Sequence, residues 1–267
     1  TGTVTLAVPS FRERYFADLA EAVVGAARDR GTTVLVETTG GHRDAELELL
    51  RGGEILTDGV IMSAVSLGRG DRRGAHPVVL IGDREPGSTI DHVGIKNREA
   101  AQAAVTHLLD TGRRRILLLG ANHGPRRSYQ LRRQGYQAAL KKHCTAIDPE
   151  LLVECDWTTA AAAAAITRTF ERLRPDGIFA MNDSAALGVL RALHRSGVDV
   201  PGDVSVIGFD DIVESGLSTP TLSTVAPLLG DIANGALDLL AEQRDEEHVP
   251  EHRMAGYELR IRESSTR

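Results

Sequence analysis

The sequence predicts an α/β protein made of two similar lobes, each a parallel sheet with helices on both faces. Short apolar runs rich in β-branched residues, which are typical of strands buried on both faces, alternate with apolar residues at helical spacing. This alternation occurs twice along the chain, first up to about Thr111 and then up to about Asp211. Alternating strands and helices indicate parallel sheets, and two successive runs indicate two lobes with a cleft between them.

The last part of the chain does not continue this alternation. It contains only two further predicted elements, a helix marked by Ile232, Ala236 and Leu240 and an alternating strand from Tyr257 to Arg262. We therefore expect the chain to cross between the lobes three times, which makes a three-segment hinge rather than a loose linker. Crossings are expected near Thr111, Val225 and Glu251. The lobes would then comprise residues 1–111 with 226–251, and residues 112–225 with 252–267.

In the first run, each strand is predicted from an apolar run and each helix from periodic apolar residues. Strands are expected at 4–8, 33–37, 58–62, 77–81 and 92–95, and helices at about 16–27, 44–50 and 97–109. Gly31 and Gly112 are placed to end the first and last of these helices. Asn97 is expected to cap the last helix, and Glu99 in its first turn favours the helix start through the macrodipole.

The second run repeats the pattern. Strands are expected at 115–119, 151–154, 176–180 and 204–207, and helices at about 128–142, 159–173 and 182–194. Asn182 is expected to cap the last of these helices and Gly197 to end it.

The stretch from Pro201 to Asp211 contains a candidate functional site. Pro201 and Gly202 mark a turn, residues 204–207 form a buried strand, and Asp210 and Asp211 stand just past its carboxyl end. In open α/β sheets, ligands bind at this end of the strands. The alternative is that the two carboxylates only cap or turn the loop that follows.

Composition limits the classes of protein to which the chain can belong. Its 267 residues are 42% hydrophobic and 25% charged, which is ordinary for a soluble globular protein. No apolar run approaches the ~20 residues of a membrane span, and Cys144 and Cys155 give neither a disulfide framework nor a metal-ligand spacing. A net charge of −6 argues against binding nucleic acid through the bulk surface. The chain begins directly on a strand, so we expect a cytoplasmic protein, or one whose leader has been removed.

Seven short motifs, in order along nearly the whole chain, resemble those of the lactose/galactose-repressor (LacI/GalR) family of transcriptional regulators. The two longest are Val200–Ile212 and Ala180–Gly188. The others are Tyr15–Ala17, Val93–Asn97, Arg132–Tyr136, Pro220–Val225 and Arg262–Ser265. At one position the chain departs from the family, because Lys96 stands where the family usually has Asp before the Asn. That departure removes the carboxylate that would contact a sugar hydroxyl there.

The resemblance implies the effector-binding core of such a regulator. This core has two periplasmic-binding-protein-like lobes of type I and is usually a homodimer. The family's helix-turn-helix headpiece and hinge helix, which bind operator DNA, precede the core, and this chain begins where the core would begin. We therefore expect a truncated chain or a natural relative without the headpiece. The alternative is an extracytoplasmic sugar-binding protein of a transporter, which would be similar in fold but monomeric and would carry a leader.

Aromatic residues and one carboxylate are predicted to contact the effector. Tyr15 and Phe16 would form an aromatic wall for a ring-shaped ligand, although an amphipathic helix could instead bury them in the core. Trp157, the only tryptophan, lies in a loop after a strand. Its match to an aromatic cleft position of the family favours a stacking platform over a structural role. Asp210 would accept hydrogen bonds from ligand hydroxyl or ring N–H groups.

Polar residues complete the predicted set. The resemblance implies contacts from Arg126 and Arg132, whose guanidinium groups suit adjacent hydroxyls, a carboxylate or a phosphate. Asn182 and Asp183 could serve only to cap a helix, but the family's Asn at this position faces the cleft. The two other predicted contacts are Asn97 and Ser10.

This set suits a sugar, with its apolar ring face and rim of hydroxyls. It also suits a purine, because Tyr15 and Phe16 with Arg126 resemble the purine-repressor subgroup. Trp157 and the family's large share of sugar-binding members favour a sugar. An enzyme is not expected, since the sequence has no phosphate-binding glycine motif, nucleophile elbow or H-E-x-x-H zinc motif. The nine histidines are scattered, so neither a metal site nor a cofactor is expected.

Overall fold

The computed structural model describes residues 2–52, 57–68, 70–82, 89–121, 127–245 and 247–266. They form two compact units. The first unit comprises Thr1–Ile95 with Leu228–Gly256, and the second unit comprises Lys96–Pro227 with Tyr257–Arg267. No helix within the described ranges is long and apolar enough to cross a membrane.

The first unit contains a six-stranded parallel sheet. Its strands are β1 (Thr3–Val8), β2 (Thr33–Thr38), β3 (Val60–Met62), β4 (Val78–Ile81), β5 (Asp91–Ile95) and β11 (His252–Ala255). Its helices are α1 (Arg14–Arg28), α2 (Arg43–Arg51) and α8 (Leu229–Glu242). The strand order is β11-β5-β4-β3-β1-β2, with neighbouring strands parallel. Apolar side chains of the central strands, among them Val60, Met62 and Leu80, pack against Leu49 and Leu50 of α2.

The second unit contains a second six-stranded sheet. Its strands are β6 (Ile116–Leu119), β7 (Leu152–Val153), β8 (Gly177–Ala180), β9 (Ser205–Phe209), β10 (Ser223–Pro227) and β12 (Tyr257–Arg260). Its helices are α3 (Asn97–Asp110), α4 (Arg127–Lys142), α5 (Thr159–Leu173), α6 (Asp183–Arg195) and the short α7 (Val213–Leu217). The strand order is β12-β10-β9-β8-β6-β7, and β12 alone pairs antiparallel to its neighbour. These two sheets confirm the predicted α/β class.

The division into units differs from the expected one at three boundaries, by only two residues at Leu228 and by a whole element at the other two. Helix α3 belongs to the second unit, because it packs along α4 of that unit. Strand β11 belongs to the first unit, because it pairs with β5, with His252 opposite His92. In both cases a packing partner distant in sequence decides the placement, and local alternation of strands and helices does not reveal that partner.

The core of the second unit lies on both faces of its sheet. Leu117 and Leu119 of β6, with Ile178 of β8, pack against α5 and α6. Helices α3 and α4 lie on the opposite face, where the Tyr136 hydroxyl donates a 2.9 Å hydrogen bond to the carbonyl of Ile116. Burial raises the pKa of this hydroxyl, which keeps it protonated as a donor.

One of the two predicted helix caps is present and the other is not. Asn182 caps α6, because its Oδ1 accepts a 2.9 Å hydrogen bond from the backbone N–H of Ala185. The predicted cap at Asn97 is wrong, since Lys96 is the N-cap of α3 and Asn97 already lies in the helix. The Asn97 side chain is instead buried and accepts a 2.6 Å hydrogen bond from Arg132 Nε.

Close packing of α3 against α4 depends on Gly135. A Cβ atom at this position would overlap the carbonyl oxygen of Arg98 and lie 2.8 Å from the backbone nitrogen of Gln102. We expect Gly135→Ala to lower the free energy of unfolding by about 1–3 kcal/mol, the cost of overpacking, despite the better helix propensity of alanine. Denaturation in urea, followed by circular dichroism, measures this loss.

The matched control is Gly25→Ala in the interior of α1, where a Cβ atom would meet nothing within 4 Å. There the same change is expected to be neutral or to stabilise by up to about 1 kcal/mol. Equal effects of the two substitutions would show that the approach of α3 to α4 does not require glycine.

Candidate functional site

Several of the predicted site residues meet at the carboxyl ends of the strands of the second unit. Asn182 follows β8, Asp210 follows β9, and Gly120 follows β6. Arg132 reaches this edge from α4, and Trp157 stands in the loop between β7 and α5. This is the edge at which open α/β sheets bind ligands, because helix starts and loops converge there.

Arg132 is the centre of this arrangement. Its Nε donates a 2.6 Å hydrogen bond to Asn97 Oδ1, and its Nη1 donates to the carbonyl of Met181. Its Nη2 lies 3.7 Å from Asp210 Oδ1, and its guanidinium carbon lies 3.5 Å from the ring centroid of Phe209. The arginine is buried, so these contacts fix it in one orientation.

Trp157 is held from two sides. Its Nε1 donates a 3.0 Å hydrogen bond to the carbonyl of Gly120, and its own carbonyl accepts a 3.1 Å hydrogen bond from Asn182 Nδ2. Gly120 has a φ of +92°, and a Cβ atom there would lie 2.8 Å from the indole nitrogen, so only glycine fits. The half-buried indole ring lies 5.6 Å from the Arg132 guanidinium, within the range of a cation–π contact.

Asp210 and Asp211 occupy a strained turn. Their φ angles of +115° and +56° are rare for residues other than glycine, cost about 1–3 kcal/mol each, and occur preferentially at functional sites. The backbone N–H of Asp210 donates a 2.8 Å hydrogen bond to the carbonyl of Val225. Asp211 forms ion pairs of 2.6 Å with Arg262 and 2.9 Å with Arg260. The turn therefore directs one carboxylate towards Arg132 and anchors the other to β12 and the segment after it.

Asp183 lies in a different environment from the one predicted. It is fully buried, and its carboxylate accepts hydrogen bonds of 3.1 Å from the Ile212 backbone N–H, 2.7 Å from the Ser215 hydroxyl and 2.6 Å from the Thr224 hydroxyl. Burial raises its pKa to about 6, against the lowering effect of these donors. Its carboxylate oxygens therefore accept hydrogen bonds inside the second unit. These bonds connect α6 to the turn after β9 and to β10.

Asn182 is also engaged at both ends of its amide. Its oxygen caps α6 and its nitrogen holds the carbonyl of Trp157. The structure therefore gives it a positioning role beside the site.

The predicted residues of the first unit lie near the start of α1. Phe16 is buried in the core of that unit, which matches the alternative considered for it. Tyr15 is half-buried, with its ring edge-on to Phe16 at 5.3 Å between centroids. The Ser10 hydroxyl oxygen accepts a 3.1 Å hydrogen bond from the backbone N–H of Arg12. Arg126 lies outside the described residues.

Two participants were not predicted from the sequence. The carbonyl of Met181 and the ring of Phe209 both contact Arg132. Phe209 lies inside the Val200–Ile212 motif, directly before Asp210, so its position in the sequence could have identified it as a site residue. A backbone carbonyl gives no such signal.

The arrangement combines an aromatic plate, a carboxylate and a guanidinium, which suits a small polar ring-shaped ligand. Within the described part of the chain, no cluster of three or more His, Cys, Asp or Glu side chains could hold a metal ion.

Comparison with known proteins identifies the family. A family model described as a periplasmic binding protein-like domain matches residues 105–265. The solved structure of a putative transcriptional regulator of LacI family from Sanguibacter keddieii DSM 10542 has a TM-score of 0.91 and 39% sequence identity. That match covers 100% of this chain and 99% of the other. The chain belongs to the LacI family of transcriptional regulators.

Other LacI-type proteins are also similar to the chain. The HTH-type transcriptional repressor CytR of Escherichia coli (strain K12) is 29% identical over 273 residues, covering 98% of this chain and 79% of CytR. A LacI family transcriptional regulator from Arthrobacter sp. FB24, solved in complex with lactose, has a TM-score of 0.85 and 29% identity, covering 99% of each chain. Both relatives are transcriptional regulators, which confirms the predicted family resemblance and agrees with the expectation that the chain is not an enzyme.

Proposed function

We propose that this chain is the ligand-sensing core of a LacI-family regulator and that its effector is a small polar ring compound. The observation that carries the proposal is the contact of Arg132 with Asp210 and Trp157 at the carboxyl edge of the second sheet. A sugar presents an apolar ring face for the indole and hydroxyls for the carboxylate and the guanidinium. The lactose complex of the Arthrobacter relative supports a sugar over a purine.

Control of operator DNA is part of the same proposal. An effector can shift the equilibrium between two conformations of the protein only through a difference in its affinity for them. We propose that this difference changes the geometry of DNA-binding segments in a homodimer, because half-sites on DNA have a fixed spacing. The regulator would act in the cytoplasm. The contacts predicted for Ser10, Tyr15 and Arg126 stay predictions, whereas Phe16 is buried in the core of the first unit.

A thermal-shift screen of sugars, nucleosides and purines tests the function. A ligand present at a hundred times its Kd stabilises the native state by about 2.7 kcal/mol, which raises the melting temperature measurably. Because Trp157 is the only tryptophan, a ligand that stacks on it is also expected to change the intrinsic fluorescence. We expect one class of neutral ring compound to do both.

Variants of Trp157 show whether the ligand uses this site. Trp157→Ala is expected to weaken binding by about 1.5 kcal/mol, roughly tenfold, because the stacking surface is lost. Trp157→Phe keeps an aromatic face and should retain most of the affinity. A ligand bound equally well by the wild type and the alanine variant would place the effector elsewhere, and a screen in which no compound stabilises the protein would contradict the sensing function.

A further inference from the structure

We infer that this site selects electrically neutral ligands and rejects anionic ones such as sugar phosphates, uronates and nucleotides. The inference rests on the proposed function and deepens it, because it concerns the ligand of the same site. Its basis is that Asp210 neutralises Arg132, so the arginine does not act as the counter-charge for an anion.

The ion pair of Arg132 with Asp210 is shielded from water. Arg132 Nη2 lies 3.7 Å from Asp210 Oδ1, and the two side chains are only 6% and 11% exposed. Charges in such surroundings interact more strongly than charges on the surface, because little solvent and salt screens them. The pair therefore presents a ligand with a dipole of no net charge, and not with a cation.

Arg132 also contacts neutral groups, and two of these groups accept hydrogen bonds from its guanidinium donors. Nε donates to the Asn97 amide oxygen, Nη1 donates to the Met181 carbonyl, and the guanidinium plane lies over Phe209. A phosphate or carboxylate usually binds arginine through two parallel N–H donors. An anion that takes this geometry at the Nη atoms would approach the Asp210 carboxylate, whose Oδ1 lies 3.7 Å from Nη2.

Asp210 is held in place independently of Arg132. Its backbone N–H is bound by the Val225 carbonyl at 2.8 Å, and the next residue, Asp211, is anchored by Arg262 at 2.6 Å. Both residues of the turn have positive φ angles, which leaves few alternative conformations for non-glycine residues. The backbone that carries the Asp210 carboxylate is therefore fixed in place.

The exposed charges on either side of the site contribute little to this selectivity. Glu154 and Asp156 are exposed on the loop that carries Trp157, and Lys96, the residue before the buried Asn97, is exposed as well. Solvent therefore screens all three charges. An anion that enters the site loses its hydration and finds Arg132 already paired, whereas a neutral polyol loses far less.

Matched pairs of ligands test the inference on the full chain by calorimetric titration. The pairs are galactose with galacturonate, glucose with glucose 6-phosphate, and adenosine with adenosine monophosphate. For the pair whose neutral member binds, we expect the anionic member to bind at least tenfold more weakly. Asp210→Asn retains the shape of the side chain and removes its charge, so this ratio is expected to fall at least fivefold or to reverse. Asp29→Asn, which removes an exposed charge just after α1, is the control for net charge and should leave the ratio unchanged.

The outcomes separate this inference from the proposed function. Wild-type protein that binds the anionic member as tightly as the neutral one overturns the inference and leaves the sensing function standing. An unchanged ratio in Asp210→Asn, with urea denaturation showing that the variant is folded, also overturns it. If neither member of any pair binds, the sensing function fails, and this inference fails with it.

Discussion

Replacement of Arg132 by methionine is expected to weaken effector binding on the order of a hundredfold and to lower the free energy of unfolding by about 3 kcal/mol. Methionine keeps an unbranched apolar stem, so the change removes mainly the charge, the donors and the guanidinium contact with Phe209. Asn97 then loses the hydrogen bond that Arg132 donates to its buried amide oxygen, and Asp210 loses the ion pair with Arg132. Titration calorimetry and urea denaturation measure the two effects separately.

Arg133→Met is the matched control, because it makes the same change one position along α4. Arg133 Nη1 donates a 3.0 Å hydrogen bond to the Tyr129 hydroxyl one turn earlier on the same helix. Its loss is expected to cost no more than about 1 kcal/mol, the usual net worth of such a bond, and to leave affinity unchanged. If the two variants lost affinity equally, the effect would belong to α4 as a whole and not to the contacts of Arg132.

The regular elements of the fold could be predicted because their local signals agree. The helix predicted at 159–173 is α5 (Thr159–Leu173), where alanine propensity and apolar spacing act together. The strand predicted at 204–207 overlaps β9 (Ser205–Phe209), which is buried throughout. Both predictions depend only on neighbours in sequence, so they needed no knowledge of tertiary contacts.

Elements that depend on distant partners were harder to predict. The motif Pro220–Val225 was assigned no strand, yet its end lies in β10 (Ser223–Pro227), a strand between β9 and β12. Strand β11 contains His252 and Arg253 and lacks an apolar run. It is an edge strand that is stabilised by its pairing with β5, so its own sequence does not mark it as a strand. The short helix α7 was not predicted at all, since five residues carry no periodicity.

The site residues, like the elements of the fold, could be predicted where the signal was local and not where it depended on a distant partner. Asp210 and Trp157 follow strands, so their position in the sequence predicted that they would lie at the ligand-binding edge of a sheet. Asn97 was predicted to be a cap, because a helix start is visible in sequence, whereas the approach of Arg132 from the next helix is not. Asp183 shared the motif with Asn182, but only the fold shows that Thr224 and Ser215 enclose its carboxylate.

Substitution of Asp183 by alanine is expected to lower the free energy of unfolding by about 3 kcal/mol at pH 7. The backbone N–H of Ile212 and the hydroxyl of Ser215 lose their buried acceptor, at about 1–3 kcal/mol each. The Thr224 hydroxyl retains a second acceptor, the Val225 carbonyl at 3.3 Å. Urea denaturation measures the loss. In the background of Ser215→Ala and Thr224→Val, the same substitution should cost less, because two of the three donors to the Asp183 carboxylate are absent.

The pH dependence of this loss follows from the pKa of Asp183. Burial raises that pKa from the ordinary 3.8 to about 6, so the folded state binds the proton more tightly than the unfolded state does. The stability that Asp183 contributes is therefore fully present below about pH 4 and declines as the pH rises to about 6, by about 3 kcal/mol at ~1.4 kcal/mol per pKa unit. The difference in stability between the wild type and Asp183→Ala is thus expected to grow as the pH is lowered from 7 towards 4. A difference that shrinks over this range would mean that the hydrogen bonds from Ile212, Ser215 and Thr224 outweigh the cost of burying the charge.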